Sequence, residues 1–177
     1  MTDPQTMPHS PDEPDGVMFE HVRSGLRASV TVESIGSSFP DDGQAIAITV
    51  RAAHPPDGDM ATAMMLKVDW QAPNDFDEGA ALLGAGRIEV EEAFRGHGIG
   101  TLAAAVAIEW LRSLPSVPLS NIILAPEDAT EDNIARRRRF YEKMGIRFSW
   151  VEEGVEGQAT RMATHDLVAN LSSWLER

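Results

Sequence analysis

The chain has 177 residues, a hydrophobic fraction of 42% and no cysteine, which suits one globular domain and excludes disulfides, thiolate nucleophiles and cysteine metal sites. Its formal charge of −13 at pH 7 argues against nucleic acid as the main partner and tilts the expectation towards cationic ones, although acid also serves solubility alone. No run approaches the roughly 18 apolar residues of a membrane span, so no membrane partner is expected and a cytoplasmic location follows by default.

Residues 1–16, MTDPQTMPHSPDEPDG, hold four acids and no lysine or arginine. They lack the basic and apolar regions of a secretory leader and read as a disordered acidic tail. VMFEHVR (17–23) is a strand candidate, and RASVTVESI (27–35) alternates as a strand should. QAIAITVRAA (44–53) and ATAMMLKVDW (61–70) follow as strands, with the turn chemistry of FPDDG before the first and HPPDGD between the two. The pair predicts a hairpin. GAALLGAGRIEV (79–90) reads as a further strand, loosened by Gly84 and Gly86.

The pattern then becomes helical. In 99–114, Ile99, Leu102, Ala103, Val106, Ala107, Trp110, Leu111 and Leu114 share one spacing, and Pro115 stops it. NIILA (121–125) is a short strand. Residues 126–146 read as a loop and a second helix that Gly145 caps. RFSWVEEG (147–154) and QATRMATH (158–165) suggest a final strand pair. DLVANLSSWLER (166–177) repeats at helical spacing through Leu167, Val168, Leu171, Trp174 and Leu175, which predicts a terminal helix docked on the body or on a second subunit of a homodimer. Many strands followed by helix, strand, helix and strands imply a mixed sheet covered by helices.

RGHGIGT (95–101) places three glycines within five positions directly before the first helix. A strand, a glycine-rich turn and a helix N-terminus together make an anion site, because unpaired amides and the helix dipole point outward there. The spacing is neither that of a Walker loop nor the dinucleotide G-x-G-x-x-G. A tight turn with no ligand accounts for the glycines equally well on their own.

The context IEVEEAFRGHGIGTLAAAVAIEWL resembles motif A of the GNAT superfamily, the acyl-CoA-dependent N-acyltransferases. Arg95, Gly96, His97, Gly98, Ile99 and Gly100 fit its [Q/R]-x-x-G-x-[G/A] pattern, between a strand and a helix. Further on, Asn133 and RRRRFYEKMGI resemble the family's N…Y-x-x-x-G-[F/I] segment. The two segments cover residues 79–151. The resemblance implies an α/β (α+β) fold with a GNAT-like mixed, mostly antiparallel central sheet flanked by helices, spanning residues 17–165. It implies acetyl-CoA as co-substrate and a primary amine as acceptor. Amides of Gly96, His97, Gly98, Ile99, Gly100 and Thr101 would hold the coenzyme A diphosphate, aided by Arg95. Backbone at Val90 would pair with the pantetheine arm, in a splay between that strand and NIILA. Tyr141, the sole tyrosine, would protonate the leaving thiolate, and Asn133 would contact the cofactor.

Three features depart from the family. Asn133 lies eight residues before Tyr141, where seven is common in the family. The strand positions that often carry the general base are Gly84 and Gly86 here. Glu89, Glu91, Glu127 and Asp128 are nearby acids, equally suited to solvent, and a water relay serves as well. Residues 36–79 show no helices to wall an acceptor site. A non-catalytic acyl-CoA sensor and a partner-binding protein with a plain glycine turn therefore stay open, as does a packing role for Phe140 and Tyr141. Arg136–Arg139 spread over about 300° of a helix and cannot form one phosphate patch. Pairing of Asp132 with Arg136 and of Arg138 with Glu142 fits their spacing, and one arginine could still meet the 3′-phosphate of coenzyme A. No metal-ligand spacing is evident among the histidines.

Overall fold

A computed structural model describes residues 16–39, 42–54, 58–84 and 88–177. The acidic tail lies outside these residues up to Asp15, as do parts of the turns FPDDG and HPPDGD. The strands are β1 (Val17–His21), β2 (Arg27–Ile35), β3 (Gly43–Ala53), β4 (Ala61–Gln71) and β5 (Ala80–Leu83). Helix α1 (Ile99–Arg112), β6 (Ile123–Leu124), α2 (Glu131–Lys143), β7 (Phe148–Glu152), β8 (Glu156–Ala159) and β9 (Trp174–Glu176) follow. The fold is α+β. An antiparallel sheet of six strands runs β5-β4-β3-β2-β1-β9, and a second sheet runs β6-β8-β7.

Alternation decides which face of the large sheet is buried. Ile46, Ile48 and Val50 on β3 stand opposite Val68, Leu66 and Met64 on β4, and all six are buried. Side chains of period two thus form one apolar face, and α1 packs on it across β3 and β4. Ile99, Leu102, Ala103, Ala104, Ala105, Ala107, Ile108 and Leu111 of α1 are buried, more than one stripe of the helix. Alanines let a helix come close to its neighbours and favour helix intrinsically. Trp70 Nε1 donates to the Pro115 carbonyl at 3.1 Å, which ties the end of the helical segment to β4. On the other face Asp69 is fully buried beneath the β2–β3 connection. It accepts from the Ser38 amide at 2.6 Å and pairs with Lys67 at 3.2 Å.

The expected β3–β4 hairpin forms, and Gly145 follows α2 with the Ile146 amide donating to the Tyr141 carbonyl at 3.1 Å. Three expectations are corrected. The strand expected over 79–90 stops at Leu83, and residues 88–91 carry no strand, although the Glu91 amide still bonds to the Ala63 carbonyl of β4 at 2.9 Å. Glycines inside a strand weaken it. The last strand ends at Ala159 instead of running on to His165; Thr160 makes one further pair of contacts to the Arg147 carbonyl before the chain departs.

The terminal helix over 166–177 is absent. Thr164–Asp166 form a 3₁₀ turn, 167–173 are irregular, and β9 adds to β1. Pairing with β1 takes up the end of this segment, and Asn170 favours a non-helical course before it. Its side-chain oxygen accepts from the Ser172 amide at 3.1 Å and hydroxyl at 2.7 Å, a local bond that competes with the helical ladder. Leu167 and Trp174 are buried, whereas Val168, Leu171 and Leu175 of the supposed apolar face are exposed.

The core position of α1 yields a stability prediction. Ile108→Ala removes a fully buried side chain from the helix–sheet contact. It should lower unfolding free energy by about 2–5 kcal/mol, read from urea denaturation, with the denaturant slope unchanged.

Candidate functional site

The large sheet touches the segment that leads into β6. Ala81, at the edge of the large sheet, forms a parallel bridge with Leu119, its amide donating to Pro118 at 3.0 Å and its carbonyl accepting from Ser120 at 2.8 Å. Beyond it β5 stays in the large sheet and β6 in the small one, with no further pairing between these edges among the described residues. The chain on one side of this opening leads to Val90 and the glycine turn, and on the other to Ala125 and α2.

After a 3₁₀ turn at Glu92–Phe94, residues 95–98 form a turn that delivers the chain into α1. Gly98 is the N-cap, with φ 79° and ψ 10°. That left-handed conformation is steeply unfavourable for branched residues, which explains glycine there. No side chain caps the helix. The first ladder bond is from the Leu102 amide to the Gly98 carbonyl at 2.9 Å, so the amides of Ile99, Gly100 and Thr101 have no intrahelical acceptor. Gly100 allows a close approach instead: a Cβ there would stand 3.3 Å from Phe140 and 3.6 Å from Val90 Cγ2.

The structure joins most of the expected site residues. Arg95 Nε donates to the Val90 carbonyl at 2.9 Å, which folds the arginine back across the turn and leaves the guanidinium exposed. Phe140 bridges the turn to Tyr141, its ring centroid 5.1 Å from that of Tyr141 and nearly perpendicular. Tyr141 is half-buried and meets Phe148 in the same manner at 5.4 Å. Asn133 stands apart. It lies in the first turn of α2, not ahead of it, and its Oδ1 accepts from Arg136 at 3.1 Å. Eight residues of helix separate it from Tyr141 by about 12 Å.

The four arginines diverge as their helical angles require. Arg136 pairs with Asn133, not with Asp132. Arg137 donates to the carbonyls of Ala125, Gly154 and Val155, which clamps α2 to the small sheet. Arg138 pairs with Glu142 and Glu153, and Arg139 bonds to the Ala135 carbonyl. Glu89, Glu91 and Glu127 are exposed. Among the described residues no group of histidines or acids is arranged to hold a metal ion. Hollows of about 340 and 350 Å³ flank Pro118 on the far side of the bridge, lined by neither the glycine turn nor Tyr141.

Composition and spacing did not reveal what stands behind the turn. His97 lies beside His54 and His21, with ring centroids 5.4 and 6.4 Å away. His54 stacks on Phe94 and donates from Nε2 to the Ala93 carbonyl at 3.1 Å. His21 lies against Trp174 at 5.1 Å, and its Nδ1 accepts from the Ser24 amide at 3.3 Å. Sequence distance hides this grouping, because β1, the residue after β3 and the turn contribute one histidine each.

Burial, then the charges of His97, Arg23 and Lys143, hold the His21 imidazole below its ordinary value of 6.5. Folding therefore favours neutral His21, and acidification through this range makes the unfolded chain bind the proton more readily than the native one. Stability from this group is present above the ordinary value and is lost as pH falls through the lowered one. The urea midpoint should drop between pH 7.5 and 5.5, and by less in His21→Gln.

A profile of the Acetyltransferase (GNAT) family matches residues 52–146. No curated protein sequence matches the chain. The crystal structure of a domain from Methanocaldococcus jannaschii DSM 2661 is similar with a TM-score of 0.44 at 10% identity, over 77% of this chain and 99% of that one.

Proposed function

Because the chain belongs to the acetyltransferase (GNAT) family, whose general activity is acyl transfer, we propose that it moves an acetyl group from acetyl-CoA to a primary amine. The observation that carries this reading is the uncapped start of α1, where a left-handed Gly98 leaves the first-turn amides without intrahelical partners, and where Gly100 lies against Val90 and Phe140. Such a terminus suits a diphosphate, since donors and dipole act together. The turn from Gly96 to Thr101 would receive it, with the exposed Arg95 guanidinium adding charge. The pantetheine arm would lie along residues 88–90, one side of the opening.

The neutral amine attacks the thioester carbonyl directly. A C–N bond forms, the C–S bond breaks, and the amine gives up one proton. Tyr141 supplies a proton to the departing thiolate, for which a phenol with an ordinary value near 10 is a suitable donor. The aromatic contacts to Phe140 and Phe148 fix the ring on both sides. No helix stands between β1 and β5 among the described residues, so the acceptor side is built from strands and their connections. The charge of −13 favours a cationic amine.

Two experiments test this. Calorimetric titration with acetyl-CoA should give micromolar binding, weakened about tenfold or more in Gly96→Asp and much less in Gly96→Asn. A Cβ at Gly96 meets open space, and Asp and Asn both tolerate the left-handed backbone, so the pair differs in charge and not in fit. Equal affinities in both variants would remove the diphosphate from the turn. Tyr141→Phe should lower kcat by about a hundredfold in an amine screen while leaving acetyl-CoA affinity intact; a wild type that binds acetyl-CoA but acetylates no amine would be a sensor.

A further inference from the structure

The C-terminal segment reaches the rear of the glycine turn. Trp174 opens β9, sits directly opposite His21 in the β1–β9 ladder and is 5% exposed. The ladder is extended by bonds from the Val22 amide to Ser173 and from the Arg177 amide to Met18, each 2.9 Å, and by an ion pair of Arg177 with Glu20 at 2.6 Å. Its Nε1 donates to the Gly98 carbonyl at 3.4 Å, the same oxygen that accepts the first ladder bond of α1. A Cβ at Gly98 would stand 3.3 Å from that nitrogen.

The covalent geometry of the turn gives this contact a consequence. In a trans peptide the carbonyl and the following N–H point in opposite directions within one plane. Holding the Gly98 oxygen from behind therefore aims the Ile99 N–H forward, out of the helix N-terminus. Two donors on one oxygen restrain the plane about its own axis, which the ladder bond alone does less well. The glycine otherwise leaves that peptide loose.

We propose that Trp174 is a positioning residue for the coenzyme A diphosphate, acting through the Gly98–Ile99 peptide; this rests on the reading of the turn given under Proposed function. The indole contributes by its N–H, not only by filling space. Removing the N–H frees the peptide to rotate, and the diphosphate meets a less ordered set of amides.

The test compares three full-length proteins by calorimetric titration with acetyl-CoA: the wild type, Trp174→Phe, and a protein carrying benzothienylalanine at 174, which keeps the ring shape and lacks the N–H. Both altered proteins should bind roughly three- to tenfold more weakly, the range for loss of one hydrogen bond. In the wild type the Trp174 indole proton resonance should shift on titration with the same affinity. Weaker binding by Trp174→Phe alone, with the benzothienyl protein unchanged, overturns the proposal, because packing would then explain the effect. Unchanged binding in both also overturns it and leaves the diphosphate site standing. Absence of binding by the wild type overturns the diphosphate site and this inference with it. Should Trp174→Phe fail to fold, the benzothienyl protein decides between the first two results.

Discussion

Burial of α1 against the apolar face of β3 and β4 is the contact on which the rest depends. A helix buried along so much of its circumference cannot slide or rotate without opening voids against Ile48, Leu66 and Val68. Its N-terminus is therefore fixed in space, and with it the direction in which its first amides point. The glycine turn adds local shape, but the core determines where that shape sits. Site and core are in this sense one construction: Ile99 is both the first residue of the helix and a fully buried member of the cluster.

The second motif is attached more lightly. Helix α2 has no fully buried residue, and its hold on the protein comes from half-buried aromatics and from the Arg137 clamp on three carbonyls. Phe140 against Gly100 is the point at which the two helices register with one another. The role proposed for Tyr141 would thus rely on a neighbour that takes no chemical part in it.

Much of the frame was legible because it depended on local rules. The alternation in RASVTVESI gave a strand with the same limits as β2, and the turn residues around HPPDGD joined β3 to β4. The long apolar period of α1 and the Gly145 cap were readable for the same reason. What was not legible depended on partners distant in sequence. Leu167 and Trp174 are seven residues apart, a spacing that fits a helix face, yet both are buried with no helix between them. Only the strand edge of β1 explains Trp174, and a one-dimensional pattern does not show an unfilled edge. His21, His54 and His97 were invisible as a group for the same cause. Asn133 illustrates the converse, since the motif match expected it ahead of the helix while α2 begins two residues before it.

The large sheet has long strands inside and short ones outside. β2, β3 and β4 run for 9, 11 and 11 residues, whereas β5 and β9 at the two edges have 4 and 3. β1 pairs with β2 only as far as Val30, which leaves Thr31–Ile35 without a partner on that side among the described residues. Glu33 stands in the middle of this stretch and is exposed. Two copies approaching there as antiparallel strands centred on this residue would bring carboxylate against carboxylate. This open stretch of β2 thus carries its own deterrent to edge-to-edge aggregation, and replacing that single charge by an apolar residue would remove it.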